Sequence, residues 1–164
     1  MIVDTSVLTL TAFGGVFECV IGRGGAVASE IKREGDGATP LGVWPLRAAL
    51  LRPGSKLQPP ALPWRWLRKS DGWSDDPADP AYNRPVSHPH LFSAERLWRA
   101  DDVYDAIIVL GHNDSQPIAG LGSAIFLHLT RPDRAPTEGC VAIERATMSW
   151  LLPRLAQGQS LKIV

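Results

Sequence analysis

Two side chains in this sequence have the types and setting for joint covalent chemistry: His128 and Cys140, in the stretch GSAIFLHLTRPDRAPTEGCVAI. A thiol attacks a carbonyl as the thiolate, and a free cysteine is mostly protonated at neutral pH. A neighbouring imidazole can take that proton and later return it to a leaving amine. Residues 123–130 are apolar and strand-like, bounded by a glycine and an Arg-Pro pair. Strand side chains alternate, so Ala124, Phe126, His128 and Thr130 share one face, and Ile125, Leu127 and Leu129 the core-facing other. The run RPDRAPTEG reads as a loop that returns Cys140 to the end of this strand, where Val141 opens a second apolar run. Gly139 lacks a Cβ and lets backbone approach a substrate closely, so the N–H groups of Gly139 and Cys140 are candidates for an oxyanion site. The bland alternative is a satisfied strand histidine and a small buried cysteine.

The same stretch resembles the signature of the L,D-transpeptidases, the YkuD-like domain: a strand histidine, a spacer, then Ser/Thr-His-Gly-Cys-x-Asn/Arg. His128 matches the first histidine, and Thr137, Gly139 and Cys140 match the second block. Glu138 stands where a second histidine is usual, Ala142 where a polar residue is usual, and the spacer is slightly short. The resemblance, to a branch carrying this TEGC variant, continues through GDGATPLGVWPLR, GWSDDPADPAYNRPV and LGHND. It implies one catalytic domain over residues 1–164, mainly β with a sheet or sandwich core. It also implies Cys140 as nucleophile and His128 as base, with a backbone carbonyl orienting the imidazole.

The activity implied is peptidoglycan cross-linking between a donor and an acceptor stem peptide through a Cys140 thioester. A 3-3 link is the usual product, and a 1-3 link stays open. No cofactor or metal is implied. The resemblance places such an enzyme in the periplasm or cell envelope, although MIVDTSVLTL shows no recognisable signal peptide. Two other classes remain. Water can resolve the same thioester, giving a carboxypeptidase or amidase; or the chain is a wall-binding module with an idle Cys140. A reactive, low-pKa Cys140 would argue against the last.

Several polar residues are candidates for holding the stems. Arg131 and Arg134 flank the loop before Cys140 and suit stem carboxylates, as Asn83 and Arg84 do in YNRPV. Surface ion pairs are the plain alternative for the arginines. Thr137 and Glu138 belong to the variant block. His112 and Asn113 follow an apolar run over residues 104–110, and His112 is a candidate stand-in for the missing second histidine.

The chain has 164 residues and zero formal net charge, which gives no case for nucleic acid or an anionic membrane surface. No apolar stretch is long enough for a transmembrane segment. Fifteen glycines and fourteen prolines favour a turn-rich β protein over a helical bundle. Of the two cysteines, Cys19 sits in an apolar strand-like run and reads as structural.

In order along the chain, alternation over residues 2–11 predicts a strand, and Gly14-Gly15 a hairpin into a return strand over 16–21. Short strands are expected at 26–29 and 43–46. Residues 50–90, rich in proline with Trp64, Trp66, Trp73 and Tyr82, read as an ordered excursion that buries its aromatics, caps the core and shapes one side of a cleft. Asp75, Asp76 and Asp79 read as solvated turn acids, and His88 and His90 as too few for zinc. Ser93 as N-cap predicts a short helix over 93–99, and residues 104–110 a central strand. Met148, Leu151, Leu152 and Leu155 give one face of a helix over 144–156 that Pro153 should shorten. A last strand closes the chain at 160–164.

Overall fold

Asp4 breaks the alternation of the N-terminal segment. Its carboxylate accepts the backbone N–H and the hydroxyl of Ser6 at 3.0 and 2.6 Å, an Asx-type turn. The single strand expected over residues 2–11 is therefore two, β1 (Ile2–Asp4) and β2 (Thr9–Ala12), paired antiparallel. The structure, a computed structural model, describes residues 1–164. Phe13 and Gly14, both at positive φ, make the expected hairpin to β3 (Gly15–Val20). β4 (Ala26–Ala28) follows, then β5 (Thr39–Leu51), far longer than the predicted 43–46.

Beyond β5 come β6 (Trp64–Trp66), β7 (Asp71–Ser74), β8 (Pro85–Ser87) and β9 (Ala94–Arg96). A 3-10 turn at Asp102–Tyr104 leads into β10 (Ala106–Leu110), and β11 (Phe126–Leu129) and β12 (Val141–Ile143) follow. The helix α1 (Arg145–Leu151) passes into a 3-10 turn at Leu152–Arg154, and β13 (Ser160–Ile163) ends the fold. Pro153 does shorten the helix, and Met148, Leu151, Leu152 and Leu155 are all fully buried as one face.

The main sheet runs β10-β11-β12-β3-β2-β1-β13-β5, and β5 then pairs back to β10. It can do so because its length serves two neighbours: residues 42–45 pair β13, and residues 46–51 pair β10. The sheet thus folds around a core that includes Leu10, Ile108, Leu127, Ile143 and Leu161. Each such side chain contributes roughly 1.5–3 kcal/mol on burial.

A second apolar cluster lies on the outer face of the β10–β11 region, where Trp73 and Leu97 cover Ile107, Phe126 and Cys140. The cover is a three-stranded sheet, β8-β7-β9. This is the capping excursion, although it starts after β5 and extends through β9. Trp73 and Tyr82 are buried, but Trp64 and Trp66 remain 39% and 48% exposed and pack on each other edge to face. The helix expected over 93–99 does not form. β7 pairs with Ala94–Arg96, and the Ser93 N–H reaches the Asp76 carboxylate at 3.4 Å. Tertiary strand pairing overrides the local cap signal.

Candidate active site

Cys140 and His128 are brought to one face of two adjacent parallel strands. β11 and β12 pair Leu127 with Val141 and His128 with Ala142. Cys140, just before β12, therefore stands beside Phe126, one alternation from His128 on the same face. The Phe126 N–H donates to Sγ at 3.4 Å, and the thiol donates to the Ala124 carbonyl at 3.2 Å. Both side chains line a cleft of about 400 Å³. Sγ and the His128 ring make no hydrogen bond to each other; each is held by backbone.

The orienting group of His128 is a backbone carbonyl, that of Leu129, 2.9 Å from Nδ1. A carbonyl only accepts, so Nδ1 carries the proton and Nε2 presents its lone pair. Burial pushes the imidazole pKa down to about 4, against the help of that hydrogen bond. Burial likewise pushes the Cys140 thiol up to about 12, with the Glu95 carboxylate adding to the rise. The resting pair is neutral thiol and neutral imidazole. Sγ is shielded in the apolar cluster of Trp73, Leu97 and Phe126, so burial works against the low-pKa thiol that would have argued against an idle Cys140. Cys19, 1% exposed in the core, is raised to about 11 by burial and is structural.

The TEGC block forms a tight turn. Thr137 Oγ1 donates to the Cys140 carbonyl at 2.7 Å and accepts the Gly139 N–H at 3.2 Å. The Gly139 N–H is thereby engaged, which corrects its reading as an oxyanion donor; the Cys140 N–H makes no intramolecular hydrogen bond. Gly139 has φ +131°, and a Cβ there would meet the Ala38 carbonyl at 2.9 Å. The glycine is required by this close approach of backbone to backbone. Glu138 lines the rim of the cleft, exposed, in an ion pair with Arg23 at 2.8 Å.

Several substrate-binding candidates lie elsewhere. Asn83 is buried, and its amide clamps four groups. Oδ1 accepts from Trp73 Nε1 at 2.8 Å and from the Ala124 N–H at 3.1 Å, while Nδ2 donates to the carbonyls of His112 and Asn113. With its polar atoms engaged, Asn83 acts by positioning Ala124, which sits at φ +52° and aims its carbonyl at Sγ. Arg84 lies outside the cleft, in a pocket with Trp73 and His112. His112 is buried there too, its Nε2 bonded to the Leu121 carbonyl at 3.0 Å and its ring edge to face with Trp44. It does not stand in for a second histidine. Asn113 ties its own loop through Ile118 and Gly122. Arg134 pairs with Glu18 and Glu144 outside the cleft. Of the arginines proposed for stem carboxylates, Arg131 alone lines it, and it makes no ion pair.

Among the polar residues of the cleft, Asp75, Glu95, Arg99, Tyr104 and Ser123 carry no signal of a site in the sequence. The Tyr104 ring packs edge to face on His128 at 5.2 Å, and its hydroxyl donates to Glu95 Oε1 at 2.5 Å. The sequence reading puts Glu95 in a helix, Tyr104 and Ser123 in strands and Asp75 in solvent. No local pattern marks any of them, because the contact between the cap and β11 is long-range.

The fold is a mainly β domain, with a thiol at the start of one strand and an imidazole on its parallel neighbour under a small sheet. The family model described as the L,D-transpeptidase catalytic domain, YkuD, matches residues 3–163, and the chain belongs to that family. The family acts on peptidoglycan stem peptides. No curated protein and no solved structure matches the chain. No helix is long and apolar enough to cross a membrane.

Proposed function

We propose that this domain cross-links peptidoglycan stem peptides in the cell envelope through a Cys140 thioester, with His128 as the general base. The observation that carries the reading is the shared cleft of Sγ and an imidazole whose Nδ1–H is fixed by Leu129, leaving Nε2 free to accept a proton. As a donor carbonyl approaches, the thiol proton passes to Nε2 and Sγ bonds to the carbonyl carbon. Collapse of the tetrahedral adduct breaks the C–N bond, and the imidazolium returns the proton to the leaving amine. An acceptor amine then attacks the thioester, gives a proton to Nε2, and the C–S bond breaks to restore the thiol. The Cys140 N–H is the candidate oxyanion donor, and the Phe126 N–H steadies the thiolate at 3.4 Å.

The test mixes purified protein with disaccharide-peptide monomers and follows products by mass spectrometry, with Cys140→Ala as control. Dimers support the reading, and fragmentation assigns a 3-3 or 1-3 link. Shortened monomers alone would replace it with a hydrolase. Neither product, with no mass added at Cys140, would sink it.

A further inference from the structure

Lys32 is only 2% exposed, a depth that a lysine tolerates when its ammonium is paired. The ammonium donates to the Asp36 carboxylate at 2.5 Å and to the Arg33 carbonyl at 2.8 Å. The same carboxylate accepts the Arg33 and Ala38 N–H groups, each at 2.8 Å. Residues 32–38 are thereby drawn into a closed loop between β4 and β5. Removing two charges from water is costly, and nothing in the acyl-transfer steps uses either of them.

This loop touches both of the backbones that hold Sγ. On one side it backs the turn that carries Cys140. The Ala38 carbonyl lies 2.9 Å from where a Gly139 Cβ would stand. Gly22, bridged to Thr137 of that turn, is held by Thr39 Oγ1 at 2.9 Å. A Cβ on Gly22 would meet the Gly37 carbonyl at 2.2 Å and the Gly139 Cα at 3.0 Å. The turn therefore rests on residues 37–39 backbone to backbone.

On the other side lies the loop before β11. A Cβ on Gly122 would meet Lys32 Cγ at 3.0 Å and Cε at 3.1 Å, so the lysine stem packs directly on that glycine. Two residues on, the Ala124 carbonyl accepts from Sγ. The Glu34 N–H ties the same two segments together, donating to the Gly120 carbonyl at 2.9 Å. Two charges act on the thiol: Glu95, from the cap, disfavours the thiolate, and Lys32 favours it.

Resting on the acyl-transfer reading, we infer that Lys32, clamped by Asp36 between these two backbones, is a positioning residue for Cys140: its stem sets the gap that Sγ occupies, and its ammonium holds a positive charge behind the developing thiolate. Asp36 fixes the ammonium and partly neutralises it, so the pair sets how much charge the sulfur meets.

The test reads that charge without turnover. Native protein is alkylated at mildly alkaline pH with iodoacetamide or with iodoacetate, which differ in charge, and the product at Cys140 is followed by mass spectrometry. The ratio of the iodoacetate rate to the iodoacetamide rate cancels access and thiolate fraction, which the two reagents share. Lys32→Met keeps the stem and removes the charge, and the ratio should fall about threefold. Asp36→Asn keeps an oxygen for the ammonium and removes the opposing charge, and the ratio should rise. A purely structural ion pair would move the two variants the same way or not at all, and either result overturns the assignment. Should Lys32→Met fail to fold, Asp36→Asn decides alone, and a ratio that does not rise overturns it.

Thioester formation from a donor stem completes the test. In Lys32→Met its maximal rate should fall about tenfold, with KM within about twofold of the parent. An unchanged maximal rate would also overturn the assignment. Opposite ratio shifts in a protein that forms no thioester would overturn acyl transfer and leave the charge at Cys140 standing. A thioester with unmoved ratios would do the reverse.

Discussion

His128 and Cys140 share a face and a cleft, yet each is hydrogen-bonded to backbone and not to the other: Nδ1 to Leu129 O at 2.9 Å, Sγ to Ala124 O at 3.2 Å. The two are held in reserve as neutral groups. Forming the nucleophile requires the thiol to leave Ala124 and reach Nε2, a motion that an entering acyl group can drive. Catalytic hydrogen bonds of this kind commonly tighten only with substrate in place.

Thiol reagents should therefore find little to react with. With the thiol pushed up to about 12, the thiolate fraction at neutral pH falls roughly a thousandfold or more below that of free cysteine. Alkylation of native protein by iodoacetamide should be slow at both Cys140 and Cys19, and rapid at both after unfolding. A donor stem peptide should instead add mass at Cys140 alone. Fast alkylation of native Cys140 would contradict the shielded site, and slow alkylation would not by itself distinguish an enzyme from a binding module.

His128 gives a pH signature with a definite sign. Its folded pKa of about 4 lies below the ordinary 6.5. Between these values the unfolded chain binds a proton that the native one refuses. The contribution is fully present above pH 6.5, is lost as pH falls toward 4, and amounts to roughly 3 kcal/mol. Denaturation curves across that window should show the loss, and His128→Gln should lack it. Thioester formation should also persist near pH 5, where an exposed histidine base would be protonated.

Asn83→Ala should be costly although Asn83 lies outside the cleft. It strands the indole N–H of Trp73, the Ala124 N–H and two carbonyls. Buried groups left this way should cost about 2–4 kcal/mol together, measured by urea denaturation. Thioester formation should fall in protein still folded, because Ala124 no longer holds Sγ. Unchanged stability would show that the clamp is replaced by water.

Gly139→Ala should lose activity without removing any functional atom. The added Cβ meets the Ala38 carbonyl at 2.9 Å, at a φ of +131°. Strain of about 1–3 kcal/mol should push Cys140 out of register with Phe126. Thioester formation is the readout, with thermal unfolding as companion.

The two loop arginines should separate. Arg134 pairs with Glu18 and Glu144 on the surface, so Arg134→Ala should change stability by about 1 kcal/mol or less and leave KM for the donor alone. Arg131 lines the cleft without an ion pair, so Arg131→Ala should raise that KM. Equal effects would remove the distinction.

The contrast between these two arginines shows what could be read in the sequence and what could not. Face alternation placed His128 opposite the core, and the loop length returned Cys140 beside it, because both depend on near neighbours in the chain. The Met148–Leu155 helix face was legible for the same reason. Arg131 and Arg134 have the same chemistry three positions apart, and only the turn between them, with Arg134 at φ +54°, decides which one faces the cleft. Ser93 failed as a cap because β7, some twenty residues earlier in the chain, claims the segment as a strand. Glu95 became a neighbour of the site through that same pairing, and Tyr104 through the 3-10 turn before β10, whose ring meets His128.

β13 has a consequence for how this chain can be made. It lies between β1 and β5, pairing Ile2 with Lys162 and Val43 with Lys162 across the other edge. Until Ile163 has been synthesised, the first strands and the long central one have no partner between them. Earlier fragments would carry two open sheet edges, which invite pairing with other chains. Folding of this domain then waits for β13, with strand pairs that join residue 2 to residue 162. A ribosome-stalled fragment ending before Ser160 should stay protease-sensitive, where one that includes β13 resists.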